Sequence, residues 1–446
     1  MDKTSKIILM LLTLSGMIWA GHENSPKHAS CAPYFNARSH QTNYSGPGRE
    51  ASGPIDVNDV RIGYFGPSKE SDPEGGDMWC AASLAIEEAN RAGGYKGLPF
   101  RLVAEWSDNP WGSGVTAVTR MVYSHRVWAI IGGIDGPSTH LAEQVVAKAR
   151  LALLSPGSTD KTVNLVNVPW MFSCLPGDHL QAPILAQAIA SHVGQNTFAL
   201  VSAVDHDSHL FTRELTKSLT RRKLVPSFHL EFNPKQKEDA ALVEKMIDAG
   251  AQTFVVIADA RRSAQLIGSI RDKGFKGRIF GGPHMGRRRF LQTAGKAADG
   301  IVFPLLYTSG KRTDRFEKKF TSRYGRRPDY LAAHTYDAIH LLIAAIRTAG
   351  LNRARIGDAV RDLSGWRGVS GDITWDSLGA NSRPVGLGII RNGGQCAPYL
   401  CPSPSTSVTS RSAGTFSKTS VPPPIQRTSI RSTLSRFPKP KCSRMP

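Results

Sequence analysis

Three short polar stretches hold most of the side chains that can do chemistry. Ile134-Asp135-Gly136-Pro137-Ser138 follows a Gly-Gly pair, Gly157-Ser158-Thr159-Asp160 follows Ser155-Pro156, and Asp205-His206-Asp207-Ser208-His209 follows Val204. The first two combine backbone amides, hydroxyls and a carboxylate. Placed ahead of a helix, such loops can hold an anionic head group without a formal cation, because N-terminal amides carry a partial positive charge. The third stretch has two histidines three apart, a spacing that can serve a metal. No third ligand of known position accompanies it, so a polar cleft or surface loop is the simpler reading, and no resident metal or cofactor is expected. Ser158 has no assignable histidine partner and no nucleophile–base–acid set is evident, so no catalytic residue and no enzyme activity are expected.

The elements that must position the first two loops lie between Trp128 and Asp160. The apolar run Trp128-Ala129-Ile130-Ile131 breaks at Gly132-Gly133, the segment 141–150 has a helical pattern, and Leu151-Ala152-Leu153-Leu154 is a second apolar run. Together these read as strand, loop, helix and strand. Such a unit builds a parallel sheet by a right-handed crossover. Both loops then fall at the carboxyl edge of neighbouring strands, where open α/β sheets hold ligands. Strand and helix alternate over roughly three hundred residues from Val57, too many for one sheet, so the fold class is α/β with two doubly wound lobes.

The chain has 446 residues and a formal net charge of +20. That excess suggests anionic partners, but no zinc-finger spacing, helix-turn-helix opening or aromatic-basic strand accompanies it, so nucleic acid is not expected. Lys3 and Lys6 precede the short apolar run 7–14, and Ala20 offers a cleavage point, so residues 1–20 read as a signal peptide and the mature chain as exported, without a transmembrane span. Residues 21–56 and 393–446 are rich in Gly, Pro and Ser and read as a disordered linker and a disordered basic tail. Cys80 and Cys174 fall in the folded part, with either a disulfide or buried thiols open. The basic runs at 221–223, 287–289 and 326–327 read as solvated, with a ligand role open for Arg287.

Several ordered pieces carry a resemblance: Val60-Arg61-Ile62-Gly63, the helix segment 85–94 ending in Gly93-Gly94, Ile130-Ile131-Gly132-Gly133 with Ser138-Thr139, Leu154-Ser155-Pro156-Gly157-Ser158-Thr159, Ala297-Ala298-Asp299-Gly300-Ile301, Tyr336-Asp337-Ala338 and the segment 368–376. In this order and spacing, residues 57–392 resemble the periplasmic solute-binding proteins of the branched-chain amino-acid (Leu/Ile/Val-binding) family, with a type I periplasmic binding fold. The resemblance implies two lobes joined by three crossings, 57–177 with 303–368 and 178–302 with 369–392, closing over a ligand between them. It implies a monomer that delivers its ligand to an ABC transporter permease, or a sensor module that reports to a membrane partner. It places Ile134, Asp135, Gly136, Pro137, Ser138, Gly157, Ser158, Thr159 and Asp160 at the ligand's carboxylate, and Asp205, Asp207, Asp259, Arg261 and His284 across the cleft. A serine of the family falls on Gly136, its lobe-two tyrosine on Asp207 and its acidic residue on Pro283 or His284. An unmodified branched-chain amino acid is therefore not the expected ligand; another small polar metabolite is.

Overall fold

The computed structural model describes residues 44–400, except 108, 195–196, 237–238 and 393. The expected signal peptide, most of the linker and the tail beyond 400 lie outside those residues. Lobe one is built on β1 (Val60–Phe65), β2 (Phe100–Glu105), β3 (Ala129–Gly132), β4 (Leu153–Ser155) and β5 (Met171–Pro176). Helices α1 (Gly76–Arg91), α2 (Val115–Thr119), α3 (Gly136–Ala149) and α4 (Thr162–Leu165) connect them. Lobe two carries β6 (Phe198–Ala203), β7 (Phe228–Phe232), β8 (Thr253–Ile257), β9 (Arg278–Gly281) and β10 (Val302–Leu305). Its helices are α5 (Asp178–Val193), α6 (His206–Arg221), α7 (Asp239–Asp248), α8 (Ala260–Asp272) and α9 (Arg288–Ala294).

The chain then runs through α10 (Asp314–Tyr324), α11 (Tyr330–Ala349) and α12 (Arg353–Asp362). It ends with β11 (Trp366–Gly368), β12 (Gly371–Ile373), β13 (Ala380–Asn381), β14 (Gly386–Arg391) and β15 (Gln395–Tyr399).

Among the described residues the strands form sheets in the order β13-β5-β4-β3-β1-β2 and β15-β14-β10-β9-β8-β6-β7. Within each, β1 to β5 and β6 to β10 run parallel. Both faces of a parallel sheet are covered, which is why β3, β4 and β8 are buried at every residue and carry only Ser155 and Thr253 as polar side chains. The order reverses at β1 and β3 in lobe one and at β6 and β8 in lobe two, so the loops after β3, β4, β6 and β8 gather at the carboxyl edges. Helix α11 drives Leu331, Ile339, Leu342 and Ile346 into the lobe-one core.

The two-lobed α/β architecture is therefore the expected one, but its borders differ. Strand β10 pairs with β9 and β14, so lobe two extends to Leu305. Strand β13 lies beside β5, and Ile373 and Trp375 belong to the lobe-one core, so the third crossing falls between Asn381 and Gly386 instead of after 368. The linker reading fails from Tyr44 onward: its ring stacks edge-on against Trp170 at 5.1 Å and is buried. The tail reading fails up to Leu400, because β15 pairs with β14 across five positions and covers its edge. Both misreadings have one cause. A single aromatic anchor, or a strand containing Pro398, leaves no periodic signal in a Gly- and Pro-rich segment.

Candidate functional site

Three aspartates start three helices around the cleft. Asp135 caps α3, accepting from the Ser138 amide at 2.8 Å, while Ser138 Oγ receives the Ile134 amide at 3.1 Å. Asp205 caps α6 through the Ser208 amide at 3.1 Å, and Asp259 caps α8 through the Arg262 amide at 2.8 Å. An aspartate before a helix satisfies an amide that has no partner within the helix. Ser138 is fully buried in this capping box, and Pro137 fills the first turn beside it. Ser158 is also buried, its Oγ accepting from the Asp160 amide at 3.2 Å.

The two lobes meet across these helix starts. Both oxygens of Asp207, on α6, accept from the Gly136 amide at the N-terminus of α3, at 3.2 and 3.1 Å. A lobe-two carboxylate thus occupies the amide seat that the loop chemistry suits to an anion. Gly136 makes this possible: a Cβ there would collide with Asp207 Oδ1 and crowd Asp160. A side chain at 136 and the carboxylate of 207 in this seat therefore exclude each other. Burial, with Asp135 nearby, raises the Asp207 pKa well above the ordinary carboxylate range.

A second meeting point lies beside it. Asp160 Oδ1 accepts from the amide and hydroxyl of Thr162, both at 2.7 Å. Its Oδ2 faces His140 Nε2 of α3 at 3.1 Å and His206 Nε2 of α6 at 2.9 Å. Burial opposes ionisation of Asp160, but the bonds from His140, His206 and Thr162 overcome it and hold the carboxyl below its ordinary range. Hydrogen bonds to Asp160 and Glu143 push His140 up to about 9. Lys161 reaches Glu214 of α6 at 2.7 Å. Thr159 accepts the Asp178 amide at 2.9 Å through its carbonyl, and burial pushes the Asp178 carboxyl up to about 8.

On the lobe-two wall, His284 is half-buried in the turn after β9, within electrostatic reach of Asp259, Asp205 and Asp135. Burial and then Arg287 lower its pKa. Asp205 Oδ2 is buried with no hydrogen-bond partner. Arg261 is exposed, whereas its neighbour Arg262 is buried, bonding Gln265 and the Gln236 carbonyl. The loops thus bring together Asp135, Gly136, Asp160, His206 and Asp207, and leave Arg261 outside. Of the sequence's Asp205–His209 cluster, only His206 joins the Asp160 meeting point. His140 went unnoticed, because it sits within a helix and Asp160, the partner that brings it to the seam, is 20 residues away in sequence.

The basic run 287–289 is not solvated. Arg287 is buried, its Nε 2.8 Å from Asp329 Oδ2 and another nitrogen 2.6 Å from the Glu74 carbonyl. Arg288 pairs with Asp77 at 2.6 Å and Arg289 with Glu74. Arg326 likewise bonds Asp77 at 2.8 Å. These pairs tie the start of α9 in lobe two to α1 and α11 in lobe one. Cys80 and Cys174 are free, buried thiols. A cavity of about 530 Å³ lined by Arg288, Tyr307, Asp329 and Cys396 contains none of the cleft residues.

Two lobes, paired carboxyl-edge loops and a polar seam between them define a binding protein, and the chain belongs to the periplasmic binding protein family, whose model matches residues 59–395. Its curated relatives include the Leu/Ile/Val-binding protein homolog 1 of Brucella melitensis, 23% identical over 70% of this chain and 84% of that protein. The Leucine-specific-binding protein of Salmonella typhimurium is 23% identical over 72% of this chain and 88% of that one. Among solved structures, the branched-chain amino acid transporter substrate binding protein LivJ from Streptococcus pneumoniae, in complex with isoleucine, superposes with a TM-score of 0.70 at 20% identity, covering 76% of this chain and all of that one. A solute binding protein from R. palustris, in complex with benzoate, gives 0.68 at 15% identity, covering 76% and 95%.

Proposed function

We propose that this chain is an extracytoplasmic solute-binding protein that captures a small, amine-bearing polar metabolite, an amino acid or a related amide, and delivers it to an ABC importer. The buried, unpartnered Oδ2 of Asp205 carries the reading. A buried carboxylate oxygen without a donor is costly, and an ammonium or amide NH in the cleft supplies one. Asp135 and Asp259, like Asp205, lie within electrostatic reach of His284 and add negative charge to the cleft, while exposed Arg261 offers a second anion no buried partner. The family membership supports the solute-binding role and the export that the signal sequence suggests. No helix among the described residues is long and apolar enough to cross a membrane.

The test is a thermal-shift screen of amino acids and amides, followed by calorimetry. A solute that binds only the folded state raises stability by about 2.7 kcal/mol at a hundredfold excess over Kd. Asp205→Asn keeps the helix cap but removes the charge, and is expected to weaken the hit by about 1.5–3 kcal/mol. Binding of amine-free dicarboxylates alone, untouched by Asp205→Asn, would reject the reading. Loss of uptake of the same solute in cells lacking the protein tests delivery.

A further inference from the structure

We propose that His140, Asp160 and His206 form a divalent-metal site of the zinc class that spans the two lobes. Their ligand atoms, two imidazole nitrogens and one carboxylate oxygen, all lie within 4.8 Å of one another. Histidine nitrogen and carboxylate oxygen are ordinary zinc donors, and three protein ligands leave a fourth position for water or a solute donor. The observed separations from Asp160 Oδ2, 3.1 and 2.9 Å, are a few tenths of an ångström under the roughly 3.3 Å edge of a tetrahedron with bonds of about 2.05 Å. A small outward step admits the ion.

The surroundings are built as a metal ligand's support is built. Glu143 lies one helical turn beyond His140, its Oε2 3.4 Å from His140 Nδ1, and it is buried. On metal binding the ion displaces the Nε2 proton while Glu143 holds the proton on Nδ1, which leaves the Nε2 lone pair for the centre; carboxylates behind ligating histidines do this in metal sites. Asp160 has Oδ1 already committed to both donors of Thr162, leaving Oδ2 for the centre. The His140 and His206 rings stand nearly perpendicular with centroids 6.0 Å apart, so their nitrogens converge without stacking.

His140 and Asp160 come from lobe one and His206 alone from lobe two. The set is complete only when the lobes touch, so metal binding and closure are one event, and the proposal does not depend on which solute is carried.

The test uses the full mature chain, purified metal-free, with Zn²⁺ alone and then Co²⁺ as probes. Zn²⁺ is expected to raise the melting temperature and shrink the radius of gyration in small-angle scattering. Co²⁺ is expected to give visible ligand-field bands with nitrogen ligands. Both responses should vanish in His206→Ala, whose half-exposed side chain supports no core, and persist in His209→Ala on the same helix. Glu143→Gln should keep the bands but weaken metal affinity about 10–100-fold. If Zn²⁺ acts equally on the wild type, His206→Ala and His140→Ala, the proposal fails. It fails equally if both imidazoles carry Nε2 protons by nitrogen NMR in saturating Zn²⁺, since Asp160 then holds them by hydrogen bonds alone.

Discussion

Asp329→Ala should be among the most damaging single changes outside the core. Its carboxylate is buried at the lobe junction, where Oδ2 accepts from Arg287 Nε at 2.8 Å and from the Arg288 amide at 3.3 Å. Oδ1 caps α11 through the Ala332 amide at 3.1 Å. Both side chains of the pair are under 8% exposed, at 7% and 3%, so water cannot replace the lost carboxylate. Leaving a guanidinium buried without its partner costs about 3–5 kcal/mol, and losing the cap adds about 1 kcal/mol. The sum, roughly 4–6 kcal/mol, is a large part of an ordinary domain's 5–15 kcal/mol.

Urea unfolding followed by circular dichroism at pH 7 measures this loss. Arg287→Met is expected to lose less, and the double variant much less than the two singles together, because removing both charges leaves neither buried alone. The pH dependence follows from the pair. Burial opposes ionisation of Asp329, but Arg287 overcomes it and holds its pKa below the ordinary value. The contribution is therefore present above the unfolded pKa of about 3.9 and is lost as pH falls through the folded value. The variant's deficit should shrink below pH 4. A cost under about 1 kcal/mol, or strictly additive singles, would show that the pair is not desolvated as the structure places it.

Four further outcomes are expected. Gly136→Ala displaces Asp207 from the α3 amide and removes a hydrogen bond worth about 0.5–1.5 kcal/mol of closure; scattering of the solute-free protein should show a larger radius of gyration. Burial pulls the pKa of His334 down to about 3, so its neutral form stabilises the fold above about pH 6.5 and that support is lost as pH falls, by a few kcal/mol; His334→Gln should flatten the acid limb of stability against pH. Asp178 is raised to about 8, so stability falls as pH rises from about 4 through 8, and Asp178→Asn should unfold at higher urea than the wild type at pH 8. Truncation after Asn392 uncovers β14 and removes Tyr399 and Cys396 from the lobe-two core, and should lower the melting temperature, whereas truncation after Leu400 should not.

Much of this protein is written in local sequence. The apolar runs 129–131 and 151–154, with Gly132-Gly133 between them and the next helix, specify a parallel unit because a strand buried on both faces must be apolar throughout. Asp135, Asp205, Asp259 and Asp329 each cap the helix that follows, a relation spanning three residues. The sequence also placed the polar loops at the carboxyl edges, since alternation of strand and helix leaves them nowhere else. What it did not determine depends on pairs far apart in the chain. Asp207 meets Gly136 across 71 residues, His206 meets Asp160 across 46 and Arg287 meets Asp329 across 42. Each crosses from one lobe to the other, so each depends on how two independently folded sheets are held together. Local propensity carries no information on that geometry; the crossings at the lobe junction and the packing of α3 against α6 decide it.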